Sequence, residues 1–297
     1  EISACLVGSE MCIRDRWHAG KGGLRGSSVA AVKAIAGSLM LMLLAACSGE
    51  APLPQGGAPR IVSLNPCSDA ILADIAPGAL VGISHYSHDP RSTSMSLAQA
   101  RRYPAVSGSV EEVLALRPDV VVASTFLPPA TARALERLGI RVERVGIAPR
   151  IADSVAQVRA LATLAHSEAA GERLVGRIEN NARAPEAERP TALVWQAGEI
   201  VAGSGSLVAQ MLERAGFANH AAALGLGQGA YLPLEQVLAD PPDVIIAAGG
   251  ERALTHPALQ ELGGVQYATL DPALLYCGGP TVPKLATRLA EIRADLP

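Results

Sequence analysis

Two histidines three residues apart, His85 and His88, with Tyr86 between them, are the side chains of this sequence best suited to meet a metal. Imidazole and phenol groups serve as axial ligands to haem iron. Zinc or manganese could bind directly if His220 or His256 completed a site with the pair. The same loop can also be read as two histidines that hydrogen-bond or line a pocket without touching metal. No Asp or Glu is placed convincingly as a further ligand beside them, so no metal ligand set is assigned. Cys67 and Cys277 are a second pair. They are far apart and lack a CxxC partner, which argues against zinc. In an oxidising compartment they form either a disulfide or two separate buried thiols.

Catalysis is the rival class. The glycine runs Gly203–Ser206 and Gly225–Gly229 could suggest a hydrolase or a phosphate binder. There is no G-x-S-x-G nucleophile elbow, and neither run has the lysine or the strand-before, helix-after context of a P-loop. No residue is assigned a catalytic role.

These side chains must be positioned by regular elements, and an internal repeat says which. The segment Glu111–Ala123 returns 124 positions later as Glu235–Ala247, sharing the pattern Glu-x-Val-Leu-Ala-x-x-Pro-Asp. In each copy a short helix stops at a Pro-Asp turn and a short apolar run follows, as for a buried parallel strand. Around the first copy, strands are expected near 60–64, 80–83 and 141–145, with helices at 68–75 and 128–138. Around the second, a strand begins at Thr191, helices cover 206–215 and 281–295, and a strand covers 265–270. From Ile151 to about Arg183 no proline intervenes and apolar residues keep helical spacing. This reads as one helix of roughly 45 to 50 Å, weakened at Gly171 and Gly176, or as two helices broken near His166. The expected fold is α/β: two Rossmann-like lobes with parallel-type sheets, residues 60–148 and 185–297, joined by one long α-helix over 149–184, with a ligand cleft between them.

Residues 1–59 stand outside that plan. Residues 1–16 resemble a translated sequencing-adaptor read and are excluded from fold reasoning. Residues 17–46 read as a signal peptide, with basic residues before an apolar stretch too short to span a bilayer comfortably. The ending Leu44-Ala-Ala-Cys47 is similar to a bacterial lipobox, which implies cleavage before Cys47 and lipid on its thiol; an ordinary secretory signal is the alternative. Residues 47–59 are Pro/Gly-rich, like a tether. Cys47–Pro297 carries 20 Lys+Arg against 25 Asp+Glu, a net of −5, which excludes a nucleic-acid binder.

The order of several motifs carries a resemblance. A lipobox, Arg60-Ile-Val-Ser-Leu-Asn-Pro66, Val81-Gly-Ile-Ser-His-Tyr-Ser-His88, the Glu111–Asp119 segment and the long helix together resemble the iron-siderophore and vitamin B12 substrate-binding proteins of bacterial ABC importers. The likeness spans residues 59 to 297. It implies a monomeric receptor in the periplasm or cell envelope, touching the membrane only through its lipid. It also implies capture of a ferric siderophore, haem or corrinoid, and delivery to a permease dimer with a cytoplasmic ATPase, by a protein that performs no chemistry and has no cofactor of its own. In the cobalamin binders one glutamate on each lobe docks on permease arginines, and the matching positions are Glu111 and Glu235. Two exposed carboxylates related by lobe symmetry would supply steering and register; complementing a helix dipole is the plainer role.

Ligand residues should leave the C-terminal ends of strands. These are Asn65, Ser68, Asp69, His85, Tyr86, His88, Ser124 and Phe126 in the first lobe, and Trp195, Gln196, Ser204, Tyr231, Arg252 and Tyr276 in the second. Tyr86 falls on a corrin-contacting tyrosine of the cobalamin binders but also fits a half-buried boundary position. Trp195 could equally be core. Ser124 and Ala197 stand where those binders carry aromatic residues, leaving fewer rings to clamp a flat macrocycle. A charged siderophore would use arginines, with Arg91, Arg101, Arg102 and Arg252 as candidates.

Overall fold

The computed structural model describes residues 57–180, 189–249 and 256–296. The signal segment, Cys47, most of the tether, Arg252 and the end of the expected linking helix lie outside the described residues.

The first lobe runs β1 (Ile61–Ser63), α1 (Pro66–Ile75), β2 (Leu80–Ser84), a 3-10 turn (His85–His88), α2 (Leu97–Ala100), β3 (Ala105–Val106), α3 (Val110–Ala115), β4 (Val120–Ser124), α4 (Pro129–Arg137) and β5 (Arg141–Val145). All neighbours are parallel, in the order β3-β2-β1-β4-β5. β1 is buried throughout and β4 nearly so. This is why they read as unbroken apolar runs: helices and loops cover both faces of a parallel sheet.

The second lobe runs β6 (Thr191–Gln196), β7 (Ile200–Ala202), α7 (Leu207–Arg214), β8 (Ala218–Asn219), α8 (His220–Ala223), β9 (Gln228–Tyr231), α9 (Leu234–Ala239), β10 (Val244–Ala248), α10 (Pro257–Gln260), β11 (Gln266–Leu270) and α11 (Thr281–Ala294). Its order is β11-β10-β6-β7-β9, with β8 beside β6. Here the sheet is mixed. β7 runs antiparallel to β6 and to β9, reversing through a tight turn in which Gly198 and Glu199 both have positive φ. The repeat copies take equivalent places: β4 lies between β1 and β5, and β10 between β6 and β11.

Between the lobes the expected single helix is two, α5 (Ile151–Leu164) and α6 (Glu168–Glu179). The break falls where His166 takes a left-handed φ of 51°. The chain turns there and α6 folds against α5, with Arg159 bonding Glu172 at 2.7 Å. Gly171 is therefore not a weak point in a long helix. A Cβ at that position would lie 2.4 Å from Ala162 Cβ, so glycine is what lets the two helices touch.

The turn lets both helices bury their apolar faces in one interior. A continuous cluster joins Ile61, Ile71 and Val122 of the first lobe to Val158 and Leu174 of the link, Val194 and Ile246 of the second lobe, and Leu285 and Leu289 of α11. Each sheet also has its own outer layer, around Val121 and Leu135 in one lobe and Trp195 and Ile245 in the other. Alternation along β4 divides Val120 and Val122 from Val121 and Ala123.

Candidate functional site: a cleft at the strand ends

In the first sheet the strand order reverses between β1 and β4, and such a reversal opens a crevice at the carboxyl ends of the strands. Asn65 and Ser124 stand there. Asn65 leaves β1 and caps α1, its Oδ1 accepting from Cys67 N at 2.8 Å. Ser124 ends β4, its Oγ accepting from Phe126 N at 3.2 Å. Facing them from the second lobe are Gln196 at the end of β6, Ser206 capping α7, Gln228 on β9, and the 275–278 loop. The space enclosed is about 360 Å³, within the range of small-ligand sites.

Cys67 and Cys277 also line this cavity, with their sulfurs bonded at 2.10 Å and Cα atoms 5.2 Å apart. The disulfide ties the first turn of α1 to the segment that leads into α11. Beside it, Gly279 N donates to Ser154 Oγ at 2.7 Å, and a Cβ on Gly278 would lie 2.5 Å from that same oxygen. The floor of the cleft is thus sewn to the link as well as across the lobes.

A family model described as periplasmic binding protein matches residues 61–262. The chain belongs to that family. Solved structures agree on the fold. The periplasmic haem-binding protein RhuT from Roseiflexus sp. RS-1 is 24% identical, with 80% of this chain and 97% of that one covered and a TM-score of 0.60. A periplasmic haem-binding protein from Pseudomonas aeruginosa is 23% identical over 81% and 95%, with a TM-score of 0.58. HutB of Vibrio cholerae is 17% identical over 79% and 98%, with a TM-score of 0.65. No curated protein matches the chain.

Within this periplasmic binding protein, Asn65, Ser124, Phe126, Gln196 and Tyr276 come together in the cleft. Phe126 is 77% exposed at its lip. The other expected ligand residues among those described do not line it. Ser68 and Asp69 are fully buried in α1. Asp69 Oδ2 accepts from Ser84 N at 3.0 Å and Ser87 Oγ at 2.6 Å, so it fastens the His85–His88 turn to the helix. Burial pushes its carboxyl up to about 8, against these hydrogen bonds. His85 lies against Val106 O and stacks on Tyr86, which is exposed; the buried His88 Nε2 has no partner.

Trp195 is a core residue. Its side chain points into the outer layer of the second sheet, alternating with Gln196, and Nε1 donates to Leu232 O at 3.2 Å. Tyr231 is exposed and donates to Glu199. Ser204 belongs to backbone packing. A Cβ on Gly203 would sit 2.1 Å from Leu226 O, and Ser204 N donates to Leu226 O, so the two glycine runs lie against each other. Arg91 is exposed and paired with Asp89.

The histidines are dispersed. His220 is buried at the start of α8, and His256 uses Nδ1 to cap α10. Among the described residues no group of three His, Cys, Asp or Glu is placed to hold a metal ion.

Among the cavity residues that escaped the sequence reading are two glutamines. Gln157 lies on α5, where it looks like one more polar position of an amphipathic helix, yet its Nε2 donates to Gly146 O at 2.7 Å and brings it to the cleft. Gln228 arrives on β9, a strand hidden in a glycine run. The 146–148 loop after β5 follows the strand-end rule and could have been found by it.

Glu111 and Glu235 are exposed in the first turns of α3 and α9. Glu112 is occupied, accepting from Ser107 N and Oγ at 2.6 Å each, and those bonds hold its carboxyl below the usual range. In the second lobe Glu199 Oε1 accepts Leu234 N at 3.0 Å, capping the helix that carries Glu235.

Proposed function

We propose that this chain is the extracytoplasmic receptor of an ABC importer. It captures a metal chelate, a ferric siderophore, haem or corrinoid, in the cleft and delivers it to a membrane permease dimer driven by a cytoplasmic ATPase. The supporting observation is the cavity itself, a pocket built at the strand ends of both sheets, in a chain of the periplasmic binding protein family. The haem-binding neighbours favour a chelate of that kind over a bare zinc or manganese ion. Asn65, Ser124, Phe126, Gln196 and Tyr276, with Gln157 and Gln228, are the ligand-contacting residues. Glu111 and Glu235 dock the receptor on basic residues of the permease, one per lobe. Cys47 carries the lipid that holds this monomeric, non-catalytic protein at the cell envelope.

Calorimetric titration of the purified protein with haem, cyanocobalamin and a ferric siderophore tests the reading. Saturable binding of one of them at micromolar concentration or below is expected, and indifference to all three would overturn it. Glu111→Ala with Glu235→Ala should weaken permease association and leave ligand affinity unchanged.

A further inference from the structure

A second cavity, also of about 360 Å³, lies apart from the cleft and shares no lining residue with it among those described. Its walls come from α1, the 94–99 segment, α6 and the first turns of α11, so both lobes and the link contribute. Met95, Pro280 and Pro283 supply apolar surface that the body of a ligand can cover.

The polar groups of the wall differ in what they have left to offer. Asp74 and Arg177 are paired with each other. Gln99 spends a donor on Ala73 O at 3.4 Å, and Thr287 spends its own on Pro283 O at 3.0 Å. Lys284 makes no hydrogen bond or ion pair among the described residues. Ser94 is only 6% exposed, yet its Oγ has no partner. A buried hydroxyl left unpaired costs stability that an incoming acceptor restores. Lys284 brings a full positive charge with three donors, and the N-terminus of α11, which borders the same space, also favours negative charge.

We propose that this cavity is a second ligand site, for a small carboxylate with an apolar body. The carboxylate meets the Lys284 ammonium and the Ser94 hydroxyl, and the body lies on Met95, Pro280 and Pro283. A neutral amide would form weaker hydrogen bonds there, and an amine would meet Lys284 as a like charge. The disulfide already ties α1 to the segment that leads into α11, and a ligand here clamps the two helices a second time. The site stands independently of what the cleft carries.

Benzoate, benzamide and benzylamine share one ring and differ in charge. Titrated by calorimetry into the purified full chain, benzoate should saturate at millimolar concentration or below and bind at least tenfold tighter than benzamide, with no binding of benzylamine. It should also raise the thermal midpoint, as any ligand of the folded state does. Lys284 is exposed, so Lys284→Met should stay folded by circular dichroism and lose the preference for benzoate, while Lys284→Arg keeps it. Ser94→Ala should weaken benzoate severalfold. Equal affinity for benzamide, benzoate binding undiminished in Lys284→Met, or indifference to benzoate, hexanoate and indole-3-acetate alike overturns the inference and leaves the receptor reading as it stands.

Discussion

Asp119 and Asp243 hold the same post in the two lobes. A carboxylate oxygen of Asp119 accepts the backbone N–H of Arg60 at 2.8 Å, and one of Asp243 accepts that of Thr191 at 2.7 Å. Each aspartate closes the Pro-Asp turn of its repeat copy and pins the first strand of its lobe beside the strand of that copy, β1 beside β4 and β6 beside β10. Asp243 also accepts Thr191 Oγ1 at 2.8 Å, and these bonds hold its carboxyl below the ordinary aspartate range.

Alanine at either aspartate should lower stability by about 1 kcal/mol, the net worth of a typical hydrogen bond. The loss should be larger at Asp243, which accepts two bonds. Urea unfolding of Asp119→Ala and Asp243→Ala measures it. The folded pKa of Asp243 is depressed, so its contribution is present above the unfolded pKa and fades as acid takes the pH down through the folded one.

Asp69 should behave in the opposite way. Its folded pKa is raised to about 8 from 3.8. Below the unfolded value both states are protonated and nothing is lost. Between about pH 4 and 8 the unfolded chain ionises while the folded one stays protonated, so stability falls with rising pH, at up to about 1.4 kcal/mol per pH unit. Chemical denaturation across this window should show Asp69→Asn with a shallower decline than the native chain.

The Cys67–Cys277 bond spans 210 residues. By loop-closure entropy its loss costs up to about 5 kcal/mol. The Cys67→Ser, Cys277→Ser protein should unfold at lower urea, and adding dithiothreitol should lower the native midpoint but not the variant's. Thiol counting on the exported native protein should find neither cysteine free.

Gly171→Ala is expected to destabilise, although alanine is favoured over glycine within a helix by about 1 kcal/mol. Contact with Ala162 decides the sign, because the new Cβ has no room, and overpacking costs about 1–3 kcal/mol. Adding Ala162→Gly should recover much of the loss in thermal unfolding.

Two lobes, the parallel first sheet, α11 and the central strands were legible because periodicity and Pro-Asp stops encode them locally. What the sequence concealed was set by contact between distant segments. The break at His166 carries no glycine or proline, and its reason is Gly171 meeting Ala162. The antiparallel β7–β9 pairing is short, joins segments separated by two helices, and is accompanied by Gly203 meeting Leu226. At the site, strand-end reasoning found Asn65, Ser124 and Gln196, but could not tell which way each side chain pointed. Trp195 and Gln196 are adjacent in the same strand and face opposite layers. Gln157 was hidden because a helix in the link carries no strand-end mark.

The apolar interior that passes from the first lobe through α5 and α6 into the second has a kinetic meaning. Swinging the lobes apart would expose that interior to water, and closing them further would compress it. A receptor built on this interior should hold one shape, loaded or empty. Its loading rate should follow ligand concentration linearly, without saturating at a closure step. A permease would then tell a full receptor from an empty one by the cargo showing at the mouth, beside Phe126, and not by a changed outline of the protein.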